Sequence, residues 1–278
     1  MLLELDRTAR LLGLEAMERL SRAHVVVLGL GGVGTFAAEA LGRSGVGRLT
    51  LVDGERIDPT NANRQLHAVR GAYGENKAEA MAGRLLLANP GLQVAAVAEF
   101  YGPDNAERIL GQGVSAVIDA MDTVVAKLHA IAWCRERGIP VVTALGAGRR
   151  LDPTAIQVTD LCETHTDQLA KDVRKYLRRR HGITATEPTG VTAVWSAEEQ
   201  RESFSLPGDE RGIPGVEARV AGERRRPPRS HGSAAFVTGA FGLVAAGAVV
   251  VRLAGVSPRT HRVLSAAEVA RRRKPRRR

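Results

Sequence analysis

His24–Leu28 (HVVVL) runs straight into Gly29-Leu30-Gly31-Gly32-Val33-Gly34, and a segment of small residues follows from Val33 to Arg43. The first run is short and largely β-branched, as in a parallel strand covered on both faces. The glycines then make a tight turn, and the small residues suit a helix packed close to the sheet. This strand–turn–helix unit restricts the chain to an α/β fold with a nucleotide site at its head. Glycines let backbone amides approach a phosphate, and the helix N-terminus adds positive potential. Leu49–Val52 reads as the next strand, with Asp53 at its carboxyl end. That places an acid about twenty residues beyond the turn, where a ribose hydroxyl is accepted.

The alternation continues. Helical patterns at Lys77–Asn89, Asp104–Leu110 and Lys127–Arg137 separate strand-like runs at Val94–Glu99, Val114–Asp119 and Pro140–Thr143. Strands alternating with helices predict a Rossmann-like, mostly parallel sheet flanked by helices. Residues 1–23 form a helical lead, with Leu11, Leu12, Leu14, Met17 and Leu20 at near-helical spacing. The nucleotide-binding domain spans 24–165. Ile156–Asp160 is a strand-like run near the end of that domain, and a less regular extension over 166–256 holds a basic helix at Leu169–Arg180 and a mobile loop at 200–230. Ala234–Val251 carries no charge and nears membrane-spanning length, but its glycines and alanines favour a buried late helix over stable membrane insertion. Residues 257–278 form a basic tail expected to be disordered.

The glycine turn (Gly29, Gly31, Gly32, Gly34) with Asp53 would by itself suit NAD. Asn61-Ala62-Asn63-Arg64-Gln65 points instead to ATP. A hydride carrier has no need of this group. A triphosphate attacked by a carboxylate does, because like charges converge at the α-phosphate. Arg64 can fork to phosphate oxygens, and Lys77 supplies a second cation; alone, Lys77 would read as a solvated helix residue. In Asp119-Ala-Met-Asp122 either acid can cap the next helix, and Asp122 is the candidate to hold Mg²⁺ on the phosphates.

The formal net charge is +10, which favours a polyanionic partner. Lys171, Arg174, Lys175, Arg178 and Arg179 lie on one basic helix and are the candidate RNA contacts; the alternative is an ordinary solvated face. Two cysteines, Cys134 and Cys162, are too few for a disulfide framework or a four-cysteine zinc site, so a reducing cytoplasm is expected and no zinc. Cys134 reads as a packed helix residue.

Taken in order, GxGGxG, Asp53, NxNRQ, Lys77 and DAMD resemble the family of ubiquitin-like-protein activating enzymes, which includes the bacterial adenylyltransferases of thiamine and molybdopterin synthesis. Thr8–Gly13, Asn63–Ala68, Asp152–Thr154 with Ile156–Asp160, and Gly232-Ser233 with Phe236–Gly239 and Phe241-Gly242 narrow this likeness to the tRNA threonylcarbamoyladenosine dehydratases. The resemblance implies an ATP- and Mg²⁺-dependent enzyme that activates the carboxylate of threonylcarbamoyladenosine in tRNA and cyclises it. It implies catalytic roles for Arg10, Arg64, Lys77 and Asp122. Nucleotide contacts would come from Asp53, Asn63, Arg64 and Lys77. Arg10 would reach the partner's nucleotide in a homodimer. It also leaves room for a monovalent cation (K⁺ or Na⁺) and a sulfur-transfer partner protein. The alternative within the family is an adenylyltransferase for a ubiquitin-like sulfur carrier. Against it stand the basic helix and the missing CxxC pairs. Ala144-Leu145 and Arg149-Arg150 depart from the dehydratase pattern near the substrate pocket.

Overall fold

A computed structural model of the chain describes residues 3–204 and 232–257. Its sheet consists of β1 (His24–Leu28), β2 (Arg48–Val52), β3 (Gln93–Val97), β4 (Ala116–Asp119), β5 (Val141–Ala144), β6 (Ile156–Asp160) and β7 (Thr192–Ser196). The strand order is β3-β2-β1-β4-β5-β7-β6. Every neighbouring pair is parallel except β6 with β7. The order reverses between β1 and β4, and ligands of open α/β sheets bind in the crevice at such a point.

The helices are α1 (Asp6–Leu12), α2 (Leu14–Arg22), α3 (Gly34–Arg43), α4 (Lys77–Ala88), α5 (Ala106–Leu110), α6 (Val124–Glu136), α7 (Gln168–His181) and α8 (Ala235–Ala254). Successive residues of β1 point to opposite faces. Val25 and Val27 therefore join the core under α2, α3, α4 and α8, while Val26 and Leu28 join the core under α5, α6 and α7. All five β1 residues are buried, as the unbroken run in the sequence requires.

Three features differ in detail from the sequence reading. The N-terminal lead is two helices, broken at Gly13, whose φ of 86° suits glycine. Met17 and Leu20 are buried, whereas Leu11 on α1 and Leu14 at the start of α2 are exposed, because the break at Gly13 ends the single apolar stripe. The late helix is buried as expected but runs three residues further, to Ala254. It is long and apolar enough to cross a membrane. Here it lays Val237, Phe241, Ala245 and Val249 into the core. A Cβ at Gly242 would stand 2.3 Å from the Val33 carbonyl oxygen, so α8 crosses the start of α3 in direct backbone contact. Finally, the sheet does not stop at residue 165: β7 inserts between β5 and β6, and α8 packs on α3. The loop expected at 200–230 lies outside the described residues from 205 onward, and the basic tail does so from 258.

Candidate functional site

The four glycines of the turn do different jobs. Gly29 has φ 85°, and a Cβ there would sit 2.9 Å from the Ala120 carbonyl oxygen. A Cβ at Gly34 would meet the Gly29 carbonyl oxygen at 1.8 Å. These two glycines let the turn close on itself and on the loop after β4. A Cβ at Gly31 would have nothing within 4 Å, so this part of the turn faces open space. The N-cap of α3, Val33, makes no side-chain cap bond. The first turn of α3 thus presents amides with no side-chain acceptor, the arrangement that receives phosphate.

Asp53 links β2 to this turn. Its Oδ2 accepts from the Leu30 amide at 2.7 Å, and its Oδ1 accepts from the Glu55 amide at 2.8 Å. Burial pushes its carboxyl above the ordinary value, against the opposing pull of those two amides and Lys77. Asn76 caps α4 through the amides of Ala78 and Glu79. Its side-chain amide donates to the Asp53 and Glu55 carbonyls. That holds Lys77, the first residue of α4, against the Asp53–Glu55 loop. The Lys77 side chain is buried and pairs with the half-exposed carboxylate of Glu55. A ligand phosphate would compete with Glu55 for it.

Asn63 and Arg64 stand on the opposite side of the turn. A Cβ at Gly32 would lie 3.1 Å from Arg64 Cγ and 2.9 Å from Thr238 Oγ1. Asn63 Nδ2 donates to the Ser233 carbonyl at 2.9 Å. Arg64 donates to the Thr60 carbonyl and to Asn63 Oδ1, at 2.9 and 2.8 Å. The glycine turn, Asp53, Asn63, Arg64 and Lys77 are thus drawn together, and the start of α8 joins them. Ser233 and Thr238 enter the sequence reading only within the late motifs of the resemblance, with no place in the nucleotide site. Nothing in a Ser or Thr at the head of an apolar helix signals contact with a segment far upstream.

Gln65 and His67, read in the sequence only as parts of motifs, take a definite place here. Both are buried, and Gln65 Oε1 and both His67 ring nitrogens lack hydrogen-bond partners. Burial, with Lys77 and Arg84 nearby, lowers the His67 imidazole to about 4.

The two acids of DAMD part company. Asp119 is fully buried; its Oδ2 accepts from Lys127 Nζ at 2.8 Å and Thr143 Oγ1 at 2.7 Å. Asp122 is exposed, and among the described residues its side chain has only a long hydrogen bond, 3.5 Å from Thr123 Oγ1. Thr123, not either acid, occupies the N-cap of α6, and no side chain caps that helix. Asp122 follows Ala120, the residue against Gly29, by two positions. Among the described residues no three-residue cluster of His, Cys, Asp or Glu could hold a metal. Any cation on Asp122 takes its remaining ligands from elsewhere.

Further out, Lys171, Lys175, Arg178 and Arg179 are exposed on α7. Arg174 departs from them: its guanidinium turns inward to the Thr164 hydroxyl and carbonyl, the latter at 2.7 Å. Arg174 therefore ties α7 to the turn after β6. Arg10 is exposed on α1 and pairs with Asp6 one turn earlier. Cys134 is buried in α6, as expected, and burial pushes its thiol up to about 12. Partial burial and the neighbouring Asp160 carboxylate also push the Cys162 thiol up. Neither sulfur is a ready nucleophile. Arg150 is fully buried and pairs with Asp167 at 3.1 Å.

The ThiF family model matches residues 5–277. The chain belongs to the ThiF family. Within that family it groups with proteins described as tRNA threonylcarbamoyladenosine dehydratase. The Escherichia coli protein is 42% identical, covering 86% of this chain and 88% of its own length. The Bacillus subtilis protein is 40% identical, covering 91% and 95%. The crystal structure of the E. coli enzyme, TcdA, in complex with ATP has a TM-score of 0.78 at 39% identity, covering 91% of this chain and 94% of that one. The Rossmann-like sheet and the late helix of this ThiF-family chain match that structure.

Proposed function

We propose that this protein uses ATP to activate the carboxylate of N6-threonylcarbamoyladenosine in tRNA and closes the side chain into the cyclic form. The observation that carries the proposal is Arg64 packed against Gly32 at the head of α3, in a chain like the dehydratases along nearly its whole length.

ATP fits the residues present. The open side of Gly31 and the first turn of α3 suit its phosphates. Asp53 suits the ribose, although each of its oxygens already accepts one amide and has a single lone pair to spare. Arg64 and Asn63 approach the phosphates from the α8 side, and Lys77 approaches from α4 after leaving Glu55. These donors offset the charge that builds up when a carboxylate attacks the α-phosphate and pyrophosphate leaves. Asp122, with the phosphates, would hold Mg²⁺, which supplies further charge neutralisation there. Ring closure needs no protein nucleophile. The carbamoyl group is tethered beside the activated carbonyl, so proximity drives its attack and AMP departs. The raised thiols of Cys134 and Cys162 agree with this route.

We further infer a homodimer in which Arg10 completes the partner's site. Leu3, Leu11 and Leu14 are 87%, 82% and 72% exposed on the same N-terminal segment, and a second copy would cover them. We infer a cytoplasmic location, which the proposed tRNA substrate and the free thiols of Cys134 and Cys162 support.

The test is mass spectrometry of nucleosides from tRNA carrying threonylcarbamoyladenosine, after incubation with protein and ATP under mild conditions. The expected product has lost one water, with AMP and pyrophosphate formed. Unchanged tRNA, with a sulfur-carrier protein adenylated at its C-terminus instead, would overturn the proposal.

A further inference from the structure

A cavity of about 670 Å³ between the 73–76 loop and α4 shares Asn76 with the site. A smaller groove of about 280 Å³ between α6 and α7 is more informative. Val124, Val125, Leu128, Asp172, Tyr176 and Arg180 line it. From this groove we propose a second RNA subsite: it receives one unpaired nucleobase from the loop that carries the modified adenosine. The inference rests on the proposed tRNA substrate and adds where, and through what chemistry, the RNA is gripped.

Three observations converge. The first is the character of the walls. Val125 is 60% exposed, an apolar side chain at the rim with no protein to cover it. With Val124 and Leu128 it forms an apolar face opposite the Tyr176 ring. A flat, apolar, π-bearing ligand suits such a slot, and unpaired bases are gripped by stacking on aromatic side chains.

The second is charge. Lys175 Nζ lies 5.2 Å and Arg180 Cζ 5.5 Å from the centroid of the Tyr176 ring. Lys171, Arg178 and Arg179 are exposed on the same helix. Lys175 and Arg180 thus set positive charge at the Tyr176 ring, within reach of the phosphates beside an inserted base. Asp172 is the one negative group in the wall. Its Oδ2 accepts from Gln168 Nε2 at 3.2 Å, which leaves Oδ1 to accept from a ligand. A carboxylate here disfavours a phosphate or an acidic side chain inside the slot. It favours a base edge with an N–H donor. This pattern separates a nucleobase from an acidic peptide, which would need a cation at that position.

The third is location. Val124 comes two residues after Asp122, at the edge of the sheet where the glycine turn meets Ala120. Arg180, which closes the same groove, lies in the last turn of α7. The basic end of α7 therefore meets α6 on the side of the nucleotide site. A base held here and an adenosine presented to ATP can belong to one loop.

The experiment uses the full-length protein and a synthetic anticodon stem-loop, with each loop nucleotide next to the target adenosine replaced in turn by an abasic residue. Affinities are measured for the wild type, Tyr176→Ala, Tyr176→Phe and Val125→Glu. Tyr176→Ala should weaken binding by about ten- to hundred-fold, the scale of one lost base–aromatic stack. Tyr176→Phe keeps the ring face and should bind within about two-fold of the wild type. Val125→Glu changes an exposed side chain, so the fold is kept while the slot is blocked, and it should match Tyr176→Ala. One abasic position should cost the wild type a similar factor and cost Tyr176→Ala almost nothing, since the two changes delete the same contact. If the abasic penalty is the same in both proteins at every position, the subsite is refuted, even where the tRNA is still converted. If Val125→Glu and Tyr176→Ala leave stem-loop affinity untouched but abolish capture of an acidic peptide, the groove is a protein site and the inference is wrong. A wild type that neither binds the stem-loop nor converts the nucleoside removes the proposed function itself, and the subsite with it.

Discussion

Lys127 Nζ stands 2.8 Å from Asp119 Oδ2, and neither side chain has any exposure to solvent. Thr143 donates to the same carboxylate oxygen, and the Ala144 carbonyl accepts from Lys127 at 3.0 Å. The pair bolts α6 to the ends of β4 and β5 and takes the first acid of DAMD out of the chemistry. Replacing Lys127 with Met should therefore cost about 3–5 kcal/mol of stability, because it strands a buried carboxylate. Urea unfolding measures it. Adding Asp119→Asn to that variant should return a large part of the loss; a double variant no more stable than Lys127→Met alone would contradict the pairing.

Asp122 should behave oppositely. It is exposed and almost without bonds, so Asp122→Ala should shift stability by less than about 0.5 kcal/mol. The cyclised nucleoside should nevertheless vanish, with tRNA affinity unchanged. Arg10→Ala subunits mixed with Asp122→Ala subunits should regain up to half the activity, since one of the two composite sites in each mixed dimer is whole. Isolated mixed dimers with no activity would rule out the contribution from the partner.

The basic helix should divide into two classes of residue. Lys175→Ala, Arg178→Ala and Arg179→Ala together should weaken tRNA binding and flatten its dependence on log salt. Each lost phosphate contact lowers the slope by roughly 0.7–0.9. Arg174→Ala should leave that slope alone and lower the melting temperature instead, because its guanidinium holds Thr164. Titrating tRNA at several salt concentrations beside thermal melts distinguishes the two.

His67 sets a stability window on the acid side. Its folded value of about 4 lies below the ordinary 6.5. Below the higher value the unfolded chain takes up a proton that the folded chain refuses. This contribution is complete above about pH 6.5. It is lost as the pH falls towards 4, to a total of up to about 3 kcal/mol. His67→Gln should flatten the urea midpoint between pH 7 and pH 5 relative to the wild type. An unchanged pH profile would show that His67 is not the group responsible.

How far the sequence reached depended on the distance between partners. Local signals sufficed for β1, the glycine turn and α3, because five buried residues in a row and a glycine with φ 85° leave few options. β7 went unseen. Thr192–Ser196 follows a stretch rich in Thr, Pro and Gly, and its identity comes from lying between β5 and β6. Arg150 read only as a departure from the family pattern; its partner Asp167 is 17 residues away, and only the fold brings them together. The inward turn of Arg174 was hidden for a similar reason, since helical spacing cannot tell a solvated arginine from one bound to a distant turn.

The contact between Gly32 and Thr238, and the bond from Asn63 to Ser233, have a consequence for how the protein is made. The first half of the nucleotide pocket leaves the ribosome long before its final wall. A nascent chain carries β1 and the glycine turn early, yet Asn63 lacks its Ser233 partner, and Gly32 its Thr238 neighbour, until the start of α8 has been synthesised. A chain cut short before Gly232 would carry every motif from the glycine turn to DAMD without the segment that meets Asn63 and Gly32.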